Sequence, residues 1–265
     1  MTRSVPSVPT HNDLTVTLDD GVGLLEIRRP DTSHFDEVLI GELVDRARKL
    51  ADGRDCRALV LASEGRHFCA GADFGDAQGF GGDRVTVSER LYRRAAELFE
   101  IELPIIAAVQ GAAVGGGLGL ACAADFRVAD AGSRFAANFA RLGFHQGFGL
   151  SVTLPRIVGR ATAADLLLTG RRIGGEEAFR IGLADRLTEA GRQRAVALEW
   201  TRQIATNAPL AIRAIRRTLR SGLTDEVTSA LEHELAEQSR LWATEDCAEG
   251  IAASLARREP VFRGR

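Results

Sequence analysis

The chain has 265 residues, with 45% hydrophobic and 26% charged side chains and a net charge of −2. It is long enough to bury a sizeable core, ordinary for a globular protein in composition, and too evenly charged for an electrostatic case for nucleic acid or an anionic membrane. No apolar run reaches the length of a membrane span, and the start, MTRSVPSVPTHND, lacks the apolar centre of a signal peptide.

In chain order, residues 14–18 and 22–28 alternate around Asp19-Asp20-Gly21, a hairpin signal. Residues 36–51 carry apolar side chains at helical spacing, and 57–62 read as a strand. Residues 75–83 hold four glycines and read as a mobile loop, and 85–101 form the next helix. Pro104 then opens a stretch on which the rest depends. An apolar strand, 105–109, leads to Gly115-Gly116-Gly117, a small-residue helix over 118–124, Asp125, and a strand over 126–129. Three glycines let the backbone take positive φ or approach a neighbour closely. They also leave main-chain N–H groups free at the start of a helix, where negative charge is favoured. By itself the triplet fits equally well a turn that only lets a helix pack tightly.

Residues 133–135 form a short strand, and 138–149 a turn-rich link. Helices follow over 150–158, 161–168, 175–181 and 193–205. From residue 196 onward the pattern is helical throughout, with further helices over 210–220, 227–242 and 248–257. Strands alternating with helices predict an α/β core with crossover connections, spanning 1–195, and a helical C-terminal region over 196–265.

Several reaction classes lack their signatures. There is no GxxxxGK[ST] phosphate loop. Gly115-x-Gly117-x-x-Leu120 misses the third glycine of a dinucleotide fingerprint. Gly149-Leu150-Ser151-Val152-Thr153 misses the last glycine of a nucleophile elbow. Cys56, Cys69, Cys122 and Cys247 show no CxxC, and the five histidines form no ligand pattern, so reduced thiols in the cytoplasm and no metal site are expected.

Upstream of the triplet lies His67-Phe68-Cys69-Ala70-Gly71-Ala72-Asp73-Phe74. Together the two stretches resemble the crotonase (enoyl-CoA hydratase/isomerase) superfamily, whose FxAGAD and A-V-x-G-x-x-x-G-G-G-x-x-L segments they match. The resemblance continues through Leu168-Thr169-Gly170-Arg171-Arg172-Ile173, Glu177–Ala184, Ala208-Pro209-Leu210-Ala211 and the closing Glu249-Gly250-Ile251, Arg257-Arg258 and Phe262. It implies a ββα spiral core, a helical C-terminal trimerisation region in a homotrimer or homohexamer, and a place in fatty acid metabolism.

The ligand so implied is an acyl-CoA, with no separate cofactor. The N–H groups of Ala72 and Gly116 would form an oxyanion hole for the thioester oxygen as an enolate develops. Ala70, Ala72, Asp73 and Phe74 would wall the CoA site. Arg66, His67, Arg257 and Arg258 are candidates for its phosphates, while Gly75 stands where the family often has a lysine.

Asp125 is matched in the family and is expected to be structural. One departure bears on chemistry. The two glutamates that serve as acid and base in the family's hydratases are matched by Gly119 and Phe139, which with Phe144 are expected to line the acyl pocket. Neither glycine nor phenylalanine can move a proton. His145 is the sequence candidate for a replacement, ahead of Asp73, Asp76 and Asp83. An atypical enzyme, a non-catalytic acyl-CoA binding protein and a thioester hydrolase are all consistent with this pattern.

Overall fold

The computed structural model describes residues 13–29, 33–74 and 83–265. Leu14–Asp19 (β1) and Val22–Ile27 (β2) form the expected hairpin. Its turn residues Asp20 and Gly21 both have positive φ (45° and 78°), the conformation that matches strand twist in a two-residue connection. Glu37–Asp52 (α1) is capped by Asp36, whose carboxylate accepts from Leu39 N at 2.8 Å. Ala58–Ser63 (β3) follows, then Arg84–Ala96 (α2), capped by Asp83 and continued by a 3-10 turn at Glu97–Glu100. The glycine-rich loop before Asp83 lies outside the described residues.

The central stretch resolves into Ile105–Val109 (β4), Ala112–Val114 (β5), Gly116–Ala123 (α3), Phe126–Asp130 (β6) and Arg134–Ala136 (β7). After a short turn at Ala140–Leu142 come Leu150–Val158 (α4), Arg160–Thr169 (α5), Arg172–Gly174 (β8), Gly175–Arg180 (α6) and Arg186–Thr188 (β9). Gln193–Ala205 (α7), Pro209–Leu219 (α8), Leu223–Trp242 (α9) and Glu245–Leu255 (α10) complete the chain.

The strands form two sheets. The larger has the order β1-β2-β3-β4-β6-β9, parallel except for the opening hairpin, and the smaller has the order β5-β7-β8. β3 and β4 are buried at every residue, which explains their unbroken apolar runs. Their side chains alternate between two apolar layers. Leu59, Leu61, Ile105 and Ala107 join the main core with α1, α2 and α3. Val60, Ala62, Ile106 and Ala108 face the other way, against Ala197 and Ala205 of α7.

This is the expected α/β architecture with a helical C-terminal run, with one difference. As expected, α7 spans 193–205; its apolar side covers the sheet, and Trp200 packs on Phe126 with ring centroids 4.5 Å apart. The three-residue strands β5, β8 and β9 were not predicted, because three residues are too few to carry an alternation and form only by pairing with β7 and β6.

The helical tail is tied to the core through Asp125, directly after α3. One carboxylate oxygen accepts from Ile105 N and from Arg216 Nε, both at 2.8 Å, and the other from Arg220 Nη1 at 2.9 Å. Asp125 is therefore structural, as expected. Because removing one partner strands buried charge, Asp125→Ala is expected to cost roughly 3–5 kcal/mol. Urea unfolding of the variant checks this, and a loss below about 1 kcal/mol would show that the arginines find other partners.

Candidate active site

The two glycine-bearing segments meet through main-chain hydrogen bonds. Cys69 N donates to Ala112 O at 2.9 Å and Val114 N to Cys69 O at 3.1 Å, a parallel bridge that pairs Cys69 with Ala113. Three residues further along each chain stand Ala72 and Gly116. On its other side the first segment pairs with Phe35, whose N–H donates to Gly71 O at 3.0 Å. Gly115, at φ 57° and ψ −122°, turns β5 into α3 in a conformation open to glycine and hardly to any other residue. Its N–H donates to Ala136 O, and its carbonyl takes the N–H groups of Leu118 and Gly119. Among the described residues, no protein acceptor takes the N–H of Ala72 or of Gly116.

Close approach dictates glycine at both neighbouring positions. A Cβ on Gly116 would lie 2.2 Å from Phe35 Cζ, and one on Gly117 would lie 2.2 Å from Cys69 O. Helix α3 is buried at all eight residues, as a helix wedged between two chain segments must be.

Ala72 and Gly116 both line a cavity of about 190 Å³. It gathers seven of the residues singled out in the sequence: Ala70, Ala72, Asp73, Phe74, Gly116, Phe139 and Phe144. Its wall is aromatic. Phe144 lies 5.7 Å from both Phe139 and Phe74 and 5.9 Å from Trp242, ring to ring.

The cavity also takes residues that carried no signal, notably His34, Phe35, Tyr92, Asn138 and Ser254. Tyr92 comes from the apolar face of α2, where an aromatic residue reads as ordinary core. Its burial pushes the phenol above its usual range, so it is a proton donor at neutral pH. His34 Nδ1 stands 3.6 Å from an oxygen of Asp73.

Two expected residues are elsewhere. Gly119 does not line the cavity, because Phe148 stands against it: a Cβ on Gly119 would lie 2.5 Å from Phe148 Cβ and 2.7 Å from Cγ. Phe148 is fully buried at φ 60°, with its ring 5.8 Å from Phe35 and 6.0 Å from Tyr92. Glu234 of α9 pins the chain just after it, accepting from Gly149 N and Ser151 N, both at 2.9 Å. Burial raises the carboxyl of Glu234.

His145 does not reach the cavity either. Its ring lies 5.8 Å from that of His233, its Nδ1 is 2.8 Å from Gln146 O, and its carbonyl accepts from Gln238.

The remaining candidates also resolve. Asp83 caps α2, and Asp76 lies outside the described residues. His67 Nδ1 accepts from Ala112 N at 3.2 Å, and burial with the charge of Arg66 lowers its pKa, so it supports β5 as a neutral ring. Arg258 pairs with Glu249 at 2.6 Å. Cys69 is no nucleophile at neutral pH, since burial pushes its thiol up to about 12. Among the described residues, no three His, Cys, Asp or Glu side chains are grouped to hold a metal ion, and no helix is long and apolar enough to cross a membrane.

The fit of Phe148 into the space left by Gly119 gives a coupled expectation. Gly119→Ala should destabilise by roughly 1–3 kcal/mol through overpacking. Combined with Phe148→Ala, it should cost less than the sum of the two single changes. Chemical denaturation of the four-member cycle checks this, and strict additivity would mean the two residues are not in conflict.

The profile of the enoyl-CoA hydratase/isomerase family matches residues 17–265. A probable enoyl-CoA hydratase of Rhodobacter capsulatus is 31% identical over 260 residues, covering 97% of this chain and all of that one. A 1,2-epoxyphenylacetyl-CoA isomerase of Escherichia coli is 29% identical over 254 residues, covering 94% and 97%. Among solved structures, an enoyl-CoA hydratase/isomerase from Pseudoalteromonas atlantica superposes with a TM-score of 0.85 at 30% identity, covering 95% of this chain and all of that one.

Proposed function

Because the chain belongs to the enoyl-CoA hydratase/isomerase family, we propose that it binds an acyl-CoA thioester at this cavity and stabilises the enolate through the N–H groups of Ala72 and Gly116. The observation that carries the reading is the pair of residues with unclaimed amides, held in register by the Cys69–Ala113 bridge and lining one cavity. Loss of a proton from C2 moves negative charge onto the thioester oxygen, and two preorganised main-chain donors are strongest where that charge develops. Side chains can change around such donors without removing them.

Hydration by a glutamate pair is not supported here. Gly119 is shut behind Phe148 and Phe139 presents a ring to the cavity. The titratable groups on the cavity among the described residues are His34, Asp73 and Tyr92. The paired His34 and Asp73 are the groups proposed to exchange the C2 proton, and Tyr92 stays protonated as a donor. The aromatic wall of Phe74, Phe139 and Phe144 favours a second reading, an acyl-CoA binding protein without turnover. Four free, buried thiols fit a reducing, cytoplasmic setting.

The test is binding and exchange together. Short acyl-CoAs should bind far better than the free acids in calorimetry. Hydration of crotonyl-CoA should be weak, since each missing acid or base group typically costs roughly 10²–10⁴-fold. Exchange of the C2 proton in deuterated water should survive His145→Ala and fall on His34→Ala. Exchange absent from the wild type with binding intact would select the second reading, and absence of binding would overturn both.

We also propose a homotrimer or homohexamer. Ile215 and Leu219 of α8 stand one turn apart on the same side of the helix and are 56% and 79% exposed in the single chain, an apolar face that assembly would cover. Light scattering at micromolar concentration should give three or six subunits; a monomer would rule this out.

A further inference from the structure

A second crevice, of about 580 Å³, adjoins the cavity and shares Val114, Asn138, Leu142 and Ser254 with it. It touches none of His34, Ala70, Ala72, Asp73 or Phe74, so it is separate from the residues assigned to CoA. Five arginines line it: Arg141, Arg171, Arg172, Arg257 and Arg258. Three are held by acids. Arg141 pairs with Glu259, Arg171 with Asp165 and Glu177, and Arg258 with Glu249. Among the described residues, no acid lies within ion-pair reach of Arg172 or Arg257.

The backbone at Arg257 adds an independent observation. It follows α10 at φ 54°, its N–H donating to Ser254 O at 3.1 Å while the Arg258 N–H donates to Ala253 O at 2.9 Å. That is the left-handed end of a helix, where glycine is the unstrained residue. An arginine thus stands on the crevice wall at a position that glycine would occupy without strain.

We propose that this crevice receives a carboxylate at the free end of the acyl group, so that the ligand class is the CoA thioester of a dicarboxylic acid; this rests on the acyl-CoA reading above. Guanidinium groups suit a carboxylate through paired N–H donors. Arg141, Arg171 and Arg258 already have acidic partners, leaving Arg172 and Arg257 to meet the ligand. An acyl chain running from the thioester at Ala72 and Gly116 past Asn138 and Ser254 would bring its far end there. A CoA phosphate is the other anion that could occupy the same groups, and the two sources separate in binding.

The experiment measures dissociation constants for free CoA, for a series of monocarboxylic acyl-CoAs, and for the dicarboxylic series from succinyl-CoA to suberyl-CoA. Wild type is compared with Arg172→Ala and Arg257→Gly. The expected result is that one or more dicarboxylic thioesters bind roughly tenfold tighter than the monocarboxylic thioester of equal length, the scale of a charge-assisted hydrogen bond. Each substitution should erase that preference while free CoA binds as before. Arg257→Gly should not lower the melting temperature, since glycine relieves the backbone, so its loss of preference cannot be ascribed to unfolding. Equal binding of the two series overturns the proposal. So does equal weakening of every CoA species, free CoA included, which assigns the crevice to a phosphate. Absence of binding by all ligands overturns the acyl-CoA reading itself.

Discussion

The structure depends on one parallel contact, the main-chain bridge between Cys69 and Ala113. It joins two chain segments that are distant in the sequence and places their continuations, Ala72 and Gly116, on one cavity. Backbone can approach backbone this closely only without side chains in the way. That requirement falls on Gly71, Gly115, Gly116 and Gly117, where positive φ or a neighbour within 3 Å excludes a Cβ. The donors are thus fixed by the least variable chemistry a chain possesses, the peptide group itself, and the side chains around them are free to set what the cavity does.

What they set here is aromatic. On α3 stands Gly119, and Phe148 sets its Cβ and ring in the room that a side chain there would fill. Phe148 is itself held by its contacts to Phe35 and Tyr92 and by Glu234, which fixes the following amides. Glycine at position 119 and a ring at position 148 belong together, because a close-packed interior tolerates neither a void nor an overlap there. The remaining polar groups on the cavity, His34, Asp73 and Tyr92, come from outside α3 altogether.

The helical tail serves this arrangement at a distance. Asp125 closes α3 and takes Arg216 and Arg220 from the C-terminal helices, so the end of the central helix and the tail are locked by the same carboxylate. Further along, α9 supplies Glu234, and α10 supplies Ser254 to the cavity wall. The C-terminal run is therefore part of the site's construction.

The sequence by itself determined the backbone-encoded half of this protein. Glycine runs, unbroken apolar strands and the lack of a titratable side chain at positions 119 and 139 are local properties, legible because backbone conformation and alternation depend on near neighbours in the chain. Only the tertiary structure decided the other half. Phe148, Tyr92, His34 and Ser254 look like core or surface in sequence, His145 seemed placed for chemistry, and β5, β8 and β9 are too short to announce themselves. Their roles follow from which distant segments pack together. The same holds for the arginine crevice, whose five cations are scattered from residue 141 to residue 258 and become one feature only when the folded chain brings them round a common space.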